Sequence, residues 1–158
     1  RTGMMVSALG FGTMSGCGDG DVSTSEAVYA AARDAGVTFF DCADVYQKGV
    51  AEEILGALVA PHRDEVVLAT KAYFPMGDAP NDRGASRYHL ERAVEASLTR
   101  LATDRIDVFF LHRFDEATPL RSEERRATPR PGRWRRRSAC RRGTGGRRSP
   151  PSSRCTTS

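Results

Sequence analysis

The 158-residue sequence lacks the features that define several protein classes. It has no run near the roughly 20 apolar residues of a membrane-spanning helix, and its N-terminus lacks the charged-then-apolar pattern of a signal peptide. Only four cysteines are present, and their spacing fits neither a zinc site nor a dense disulfide framework: Cys17, Cys42, Cys140 and Cys155. We therefore expect a cytoplasmic protein with no membrane partner, no metal site and reduced cysteines.

Residues 121–158 contain no Val, Ile, Leu, Met, Phe or Tyr. This segment holds 13 Arg and two Glu, a net charge of +11, whereas residues 1–120 carry a net charge of −7. With Trp134 as its one large apolar side chain, this segment cannot bury enough surface to offset the entropy lost on ordering. We therefore predict one domain over residues 1–120 and a disordered basic tail over residues 121–158.

Two origins of this basic tail are open. The whole chain has only two Lys against 22 Arg, and the tail is rich in the residue types that a GC-rich gene yields when it is read out of frame. We interpret the tail as a frameshift product. The alternative is a real arm that binds nucleic acid nonspecifically through its charge. Because Trp134 is the only aromatic residue there for base stacking, we expect no specific nucleic-acid partner.

Residues 1–120 alternate short apolar runs with amphipathic segments. The pattern predicts strands over 6–10, 37–40, 66–69 and 106–111. The first predicted helix begins at a capping box formed by Ser23 and Glu26 and ends at Gly36. Two more helices are predicted over 51–60 and over 87–101, the last with Ser86 as its cap. Strands separated by helices form successive βαβ units, so we expect a parallel sheet, either open or closed.

One possible parallel sheet is a dinucleotide-binding Rossmann half. Gly10 and Gly12 follow a predicted strand, and Asp41 ends the next one. However, the third glycine of that fingerprint would fall at position 15, which is Ser15, and the helix is predicted to start at Ser23 rather than at the glycine turn. The motif is incomplete, and we favour the other possibility.

The other possibility is a (β/α)8 barrel, which the polar residues at the strand ends favour. Asp41 ends the second predicted strand, Lys71 follows the third, His112 follows the fourth, and Tyr46 lies five residues past Asp41. The C-terminal ends of barrel strands converge on one mouth, so residues distant in sequence can meet there. Each residue alone has a structural explanation, but their presence at three consecutive strand ends favours a shared site.

The two other histidines fall outside this pattern. His62 follows a proline in a predicted loop, and His89 lies in the first turn of a predicted helix. We expect both to be solvated surface groups.

Five segments carry a resemblance to a known family. They are VSALGFGTM at 6–14, FFDCADVY at 39–46, AEEILG at 51–56, ATK at 69–71 and LHR at 111–113. In this order and at this spacing, residues 1–120 resemble the aldo-keto reductase family, including the branch that contains potassium-channel β-subunits. The resemblance implies the N-terminal half of a (β/α)8 TIM barrel, with about four βα units. Cys42 and the Gln47-Lys48 pair depart from the family's usual Thr and Gly.

The resemblance also implies an NADP-dependent oxidoreductase that reduces aldehydes or ketones to alcohols. The family's catalytic tetrad falls on Asp41, Tyr46, Lys71 and His112. By this resemblance Tyr46 would donate the proton, and Lys71 would stabilise the phenolate that remains. Asp41 would balance and orient Lys71, while His112 would position the oxygen of a small-molecule carbonyl substrate.

No side chain is a hydride source, so carbonyl reduction needs a cofactor such as NADP. By resemblance Gly12, Thr13 and Met14 would line the nicotinamide site, with Asp41 near the ribose. The phosphate-binding loops of the family's second half have no counterpart in the sequence, so we expect the chain as written to be truncated and inactive. The alternative is a non-catalytic interaction protein, similar to a β-subunit or acting through the basic tail. The sequence carries no signal for an oligomeric state.

Overall fold

The computed structural model describes residues 3–16 and 22–118. Four parallel strands form one sheet: β1 (Gly10–Gly12), β2 (Phe39–Asp41), β3 (Val67–Ala72) and β4 (Val108–Leu111). The helices are α1 (Thr13–Gly16), α2 (Val22–Asp34), α3 (Val50–Val59) and α4 (Arg87–Arg100), with 3₁₀ segments at Tyr46–Gly49 and Ala60–His62. The predicted α/β arrangement of about four βα units is confirmed.

The strand order β1-β2-β3-β4 follows the chain. A doubly wound sheet reverses its order at a switch point, whereas a (β/α)8 barrel adds each parallel strand beside the previous one. The sheet register places Gly12 beside Asp41, and Asp41 beside Ala69. The order is therefore that of a barrel and not of a Rossmann half, and the C-terminal strand ends share one edge.

The hydrophobic core lies between the sheet and the helices. Phe40 of β2 and Leu68 of β3 are fully buried, and they share one cluster with Leu55 and Val59 of α3 and with Leu101. Burying side chains of this size stabilises a fold by about 1.5–3 kcal/mol each. This packed core holds the strand ends in place.

The first predicted strand is misplaced. The ladder pairs Gly10–Gly12, not residues 6–10. The earlier segment is held by side chains instead, because the Ser7 amide donates to Thr38 Oγ1 and the Thr38 amide donates to Ser7 Oγ, both at 2.9 Å. These bonds satisfy the backbone without a strand.

The predicted start of the first long helix is also wrong. Ser23 lies inside α2 and not ahead of it. The buried face of this helix contains Ser25 and Tyr29, whereas Val28 is 37% exposed. The centroids of the Tyr29 and Phe40 rings lie 5.0 Å apart, and this aromatic contact anchors α2 on the sheet.

The cap of α4 is confirmed, and the prediction for His89 is wrong. Ser86 Oγ accepts a hydrogen bond from the His89 amide at 3.2 Å. His89 itself is only 5% exposed. Because it lies on the inward face of α4 together with Ala93 and Ser97, it is a buried residue and not a solvated one.

Within residues 3–16 and 22–118, no helix is long and apolar enough to cross a membrane. The predicted basic tail at 121–158, together with Cys17, Cys140 and Cys155, lies outside the described residues.

Candidate active site

The four predicted catalytic side chains come from one edge of the sheet. Asp41 is the last residue of β2, Lys71 lies in β3 next to its final residue, and His112 directly follows β4. Tyr46 begins the 3₁₀ segment after β2. Because the strands are parallel and in register, these positions converge at their C-terminal ends.

Lys71 and Asp41 form an ion pair. The Lys71 Nζ donates to Asp41 Oδ2 at 2.5 Å and to the carbonyl oxygen of Cys42 at 2.8 Å. The two side chains are only 16% and 28% exposed, respectively. A partly buried ammonium needs such a counter-charge, and the second bond fixes its direction.

Tyr46 and His112 lie beside this ion pair. The Lys71 Nζ is 5.2 Å from the centroid of the Tyr46 ring. The Tyr46 and His112 rings meet edge to face with centroids 5.8 Å apart, and Phe74 packs against His112 at 4.9 Å. The structure thus brings all four predicted residues together.

The environment of His112 favours its neutral form. Burial lowers its pKa, the Lys71 ammonium lowers it further, and the Asp41 carboxylate opposes them. Its Nδ1 is buried with no hydrogen-bond partner in the described part of the chain. A neutral imidazole carries one N–H, which it is able to donate to a substrate oxygen.

The predicted cofactor residues border the same strand ends. Thr13 is fully buried, and its Oγ1 donates to the Asp41 carbonyl oxygen at 3.1 Å, which ties the start of α1 to the end of β2. A methyl group at Gly12 would meet no heavy atom within 4 Å, and the Met14 side chain is 62% exposed. This open space beside Asp41 could hold a planar ring. Across the described segments, no group of three His, Cys, Asp or Glu residues could hold a metal ion.

A buried polar cluster behind the tetrad was missed in the sequence. Glu52 of α3 is fully buried, and it accepts hydrogen bonds from Thr70 Oγ1 and from Arg100 Nε, both at 2.6 Å. Gly49 leaves room for Arg100, since a methyl group at position 49 would lie 2.6 Å from the arginine Cδ. The signal available in the sequence was a glutamate between the apolar residues Ala51 and Leu55.

Asp44 joins this cluster from the loop that carries Tyr46. It is fully buried, and its amide donates to the Lys71 carbonyl oxygen at 3.0 Å. Burial, and then the charge of Glu52, raises the pKa of Asp44 to about 6, with the Val45 amide and Arg100 opposing. The cluster therefore contacts the backbone of β3, which carries Lys71, and includes a residue of the loop that carries Tyr46.

One protein-family model matches most of the chain. The model of the aldo/keto reductase family matches residues 8–130. The chain belongs to the aldo/keto reductase family. Its match to the family continues past residue 120, where the composition changes.

Three relatives in the aldo/keto reductase comparison illustrate the match. A "Probable voltage-gated potassium channel subunit beta" of Oryza sativa subsp. japonica is 43% identical, over 76% of this chain and 38% of the relative. The "Uncharacterized oxidoreductase YrpG" of Bacillus subtilis (strain 168) is 42% identical over 75% and 40%. The "L-glyceraldehyde 3-phosphate reductase" of Escherichia coli (strain K12) is 35% identical over 76% and 37%. The chain spans about two fifths of the length of these relatives.

Proposed function

We propose that this chain carries the catalytic residues of an NADP-dependent aldo-keto reductase that reduces aldehydes or ketones to alcohols. The supporting observation is the position of the Lys71 ammonium, which is bonded to Asp41 and lies 5.2 Å from the Tyr46 ring. Carbonyl reduction requires a hydride at carbon and a proton at oxygen. NADPH, when bound, supplies the hydride. The four residues of the tetrad supply the proton.

The proton comes from the Tyr46 phenol. A phenol is a weak acid, but a nearby ammonium stabilises the anion that remains after proton transfer. Lys71 supplies this positive charge, and Asp41 keeps it in place. His112 orients the substrate oxygen through a hydrogen bond from its neutral imidazole. Gly12, Thr13, Met14 and Asp41 would border the nicotinamide and ribose.

Loss of NADPH absorbance with a panel of aldehydes tests the proposed reaction. The assay uses a chimera, in which residues 1–120 of this chain are joined to the remaining part of the Bacillus subtilis relative. Tyr46→Phe should slow turnover by about 10²–10⁴-fold, the range for loss of a general acid, with NADPH binding retained. Tyr88→Phe removes an exposed hydroxyl from α4 and is the matched control. Equal turnover of the two variants would refute the role of Tyr46.

A second proposal is a non-catalytic partner similar to a potassium-channel β-subunit. The support is the 43% identity to the rice protein that bears that name. In this case the chimera would bind NADPH saturably and consume no aldehyde, and Tyr46→Phe would change neither result. The same assay therefore separates the two proposals.

A further inference from the structure

A second cavity lies between α4 and the loop before it. Its volume is about 240 Å³, and none of the four tetrad residues lines it. Asp44 and His89 are in its polar lining, and its apolar wall contains Met76, Ala93 and Ala96. The cavity is thus distinct from the proposed catalytic site.

The buried polar atoms around this cavity lack partners. Neither carboxylate oxygen of Asp44 nor Nε2 of His89 has a hydrogen-bond partner within the described ranges. Asp44 is fully buried and His89 is 5% exposed. In native proteins, buried polar atoms without a protein partner are normally hydrogen-bonded to water or to a ligand.

Both carboxylate oxygens of Asp44 are acceptors. Burial lowers the pKa of His89, with the charge of Asp82 opposing, so the neutral ring is favoured. A neutral ring carries one N–H and one lone pair.

The charges around the cavity leave one carboxylate uncompensated. Arg100 Nε bonds to Glu52 at 2.6 Å, and Arg92 pairs with Asp82 at 3.5 Å. Only Asp44 then lacks a cationic partner of its own. A ligand that matches this cavity carries one positive charge and several hydrogen-bond donors.

We propose that this cavity binds a small primary ammonium, whose N–H groups meet the carboxylate of Asp44. An ammonium offers three donors and no acceptor, and its alkyl stem would contact Met76 and the alanines of α4. The two lysines of the chain are Lys48 and Lys71. Lys71 is bonded to Asp41, and Lys48 is exposed in the turn before α3, so the ammonium belongs to a separate molecule.

Protonation of Asp44 links binding to pH. The charges of Glu52 on α3 and Arg100 on α4 act on Asp44, and the other titratable or charged residues that line the cavity are Asp82, His89 and Arg92. Because the pKa of Asp44 is raised to about 6, its charge is present at pH 8 and is mostly lost at pH 5. Affinity for the ammonium should therefore fall by about tenfold between these values.

Calorimetric titration of the 158-residue protein with butylammonium tests this site. Saturable binding is expected at pH 8, with about tenfold weaker binding at pH 5. Butanol has the same stem without the charge, and tetramethylammonium has the charge without donors, so both should bind at least tenfold more weakly. These measurements do not require carbonyl reduction, so they are independent of the proposed function.

Two variants locate the binding. Asp44→Asn keeps the shape and removes the charge, and Ala96→Leu keeps the charge and fills the cavity, so each should weaken butylammonium binding at least tenfold. Glu95→Gln removes one charge from the exposed side of α4 and should leave binding unchanged. The unfolding temperature of each variant shows that it folds. Absence of saturable binding at pH 8, equal binding of butanol, or full binding by both variants would overturn the proposal and leave water as the occupant.

Discussion

Glu52 should stabilise the fold far more than its neighbour Glu53. The Glu52 side chain is fully buried on α3, while Glu53, one residue later, is exposed. Glu52 accepts hydrogen bonds from Thr70 of β3 and Arg100 of α4, both at 2.6 Å. It therefore connects three elements through one carboxylate.

The magnitude follows from these contacts. Removing one partner of a buried ion pair costs about 3–5 kcal/mol, because the other charge is left without compensation. The Arg100 side chain is 19% exposed, so water partly solvates it after the change. Glu52→Gln also keeps one acceptor oxygen, and we therefore expect a loss of about 2–3 kcal/mol. Glu53→Gln should stay within about 0.5 kcal/mol, as exposed substitutions usually do.

Urea denaturation followed by circular dichroism measures the difference. With a slope of about 1–3 kcal/mol/M, the Glu52→Gln midpoint should fall by roughly 0.7–3 M, while the Glu53→Gln midpoint stays in place. The charge of Glu52 also contributes to the raised pKa of Asp44, so this pKa should fall in the variant, as NMR titration would show. Equal midpoints for the two glutamine variants would refute the reasoning.

Three further predictions concern packing, backbone strain and the tail. Gly56→Ala places a methyl group 2.7 Å from the Leu101 Cα, so it should destabilise the protein by about 1–3 kcal/mol in urea; an unchanged midpoint would contradict this close packing. Gln47 and Lys48 have left-handed backbones with φ of 45° and 54°, a conformation that costs non-glycine residues about 1–2 kcal/mol. Glycine at either position should raise the unfolding temperature by a few degrees, and a decrease would argue against strain. Retention on DNA in a filter assay should fall steeply with salt and disappear when residues 121–158 are deleted; retention that is insensitive to salt would exclude the electrostatic arm.

The sequence predicted the parts of the fold that local patterns determine. An uninterrupted apolar run marks β3, and Ser86 with helically spaced apolar residues marks α4. The position of β1 was wrong because Ser7 and Thr38, 31 residues apart, satisfy one another's backbone amides. His89 was predicted at the surface from its place in the first turn of α4, but its burial depends on which face of α4 packs inward, together with Ala93 and Ser97.

Part of the candidate site could also be predicted from the sequence, and part could not. Parallel strands bring their C-terminal ends together, so position alone predicted that Asp41, Lys71 and His112 would meet. The link from Glu52 to Arg100 spans 48 residues and exists only after α3 and α4 pack. No spacing rule connects the two, so the cluster could be found only in three dimensions.

The tetrad and the buried cluster share one segment of chain. Asp41 ends β2, Tyr46 follows in the connecting loop, and Glu52 lies in the first turn of α3. Asp44, between the first two, donates its amide to the Lys71 carbonyl oxygen, so the loop is fixed to β3 beside the ammonium. A loop held at both ends keeps the phenol near Lys71, as the proposed proton transfer requires. Loss of the Glu52 anchor should therefore weaken this alignment as well as the fold, and in the chimera Glu52→Gln should lower kcat more than it raises the KM for NADPH.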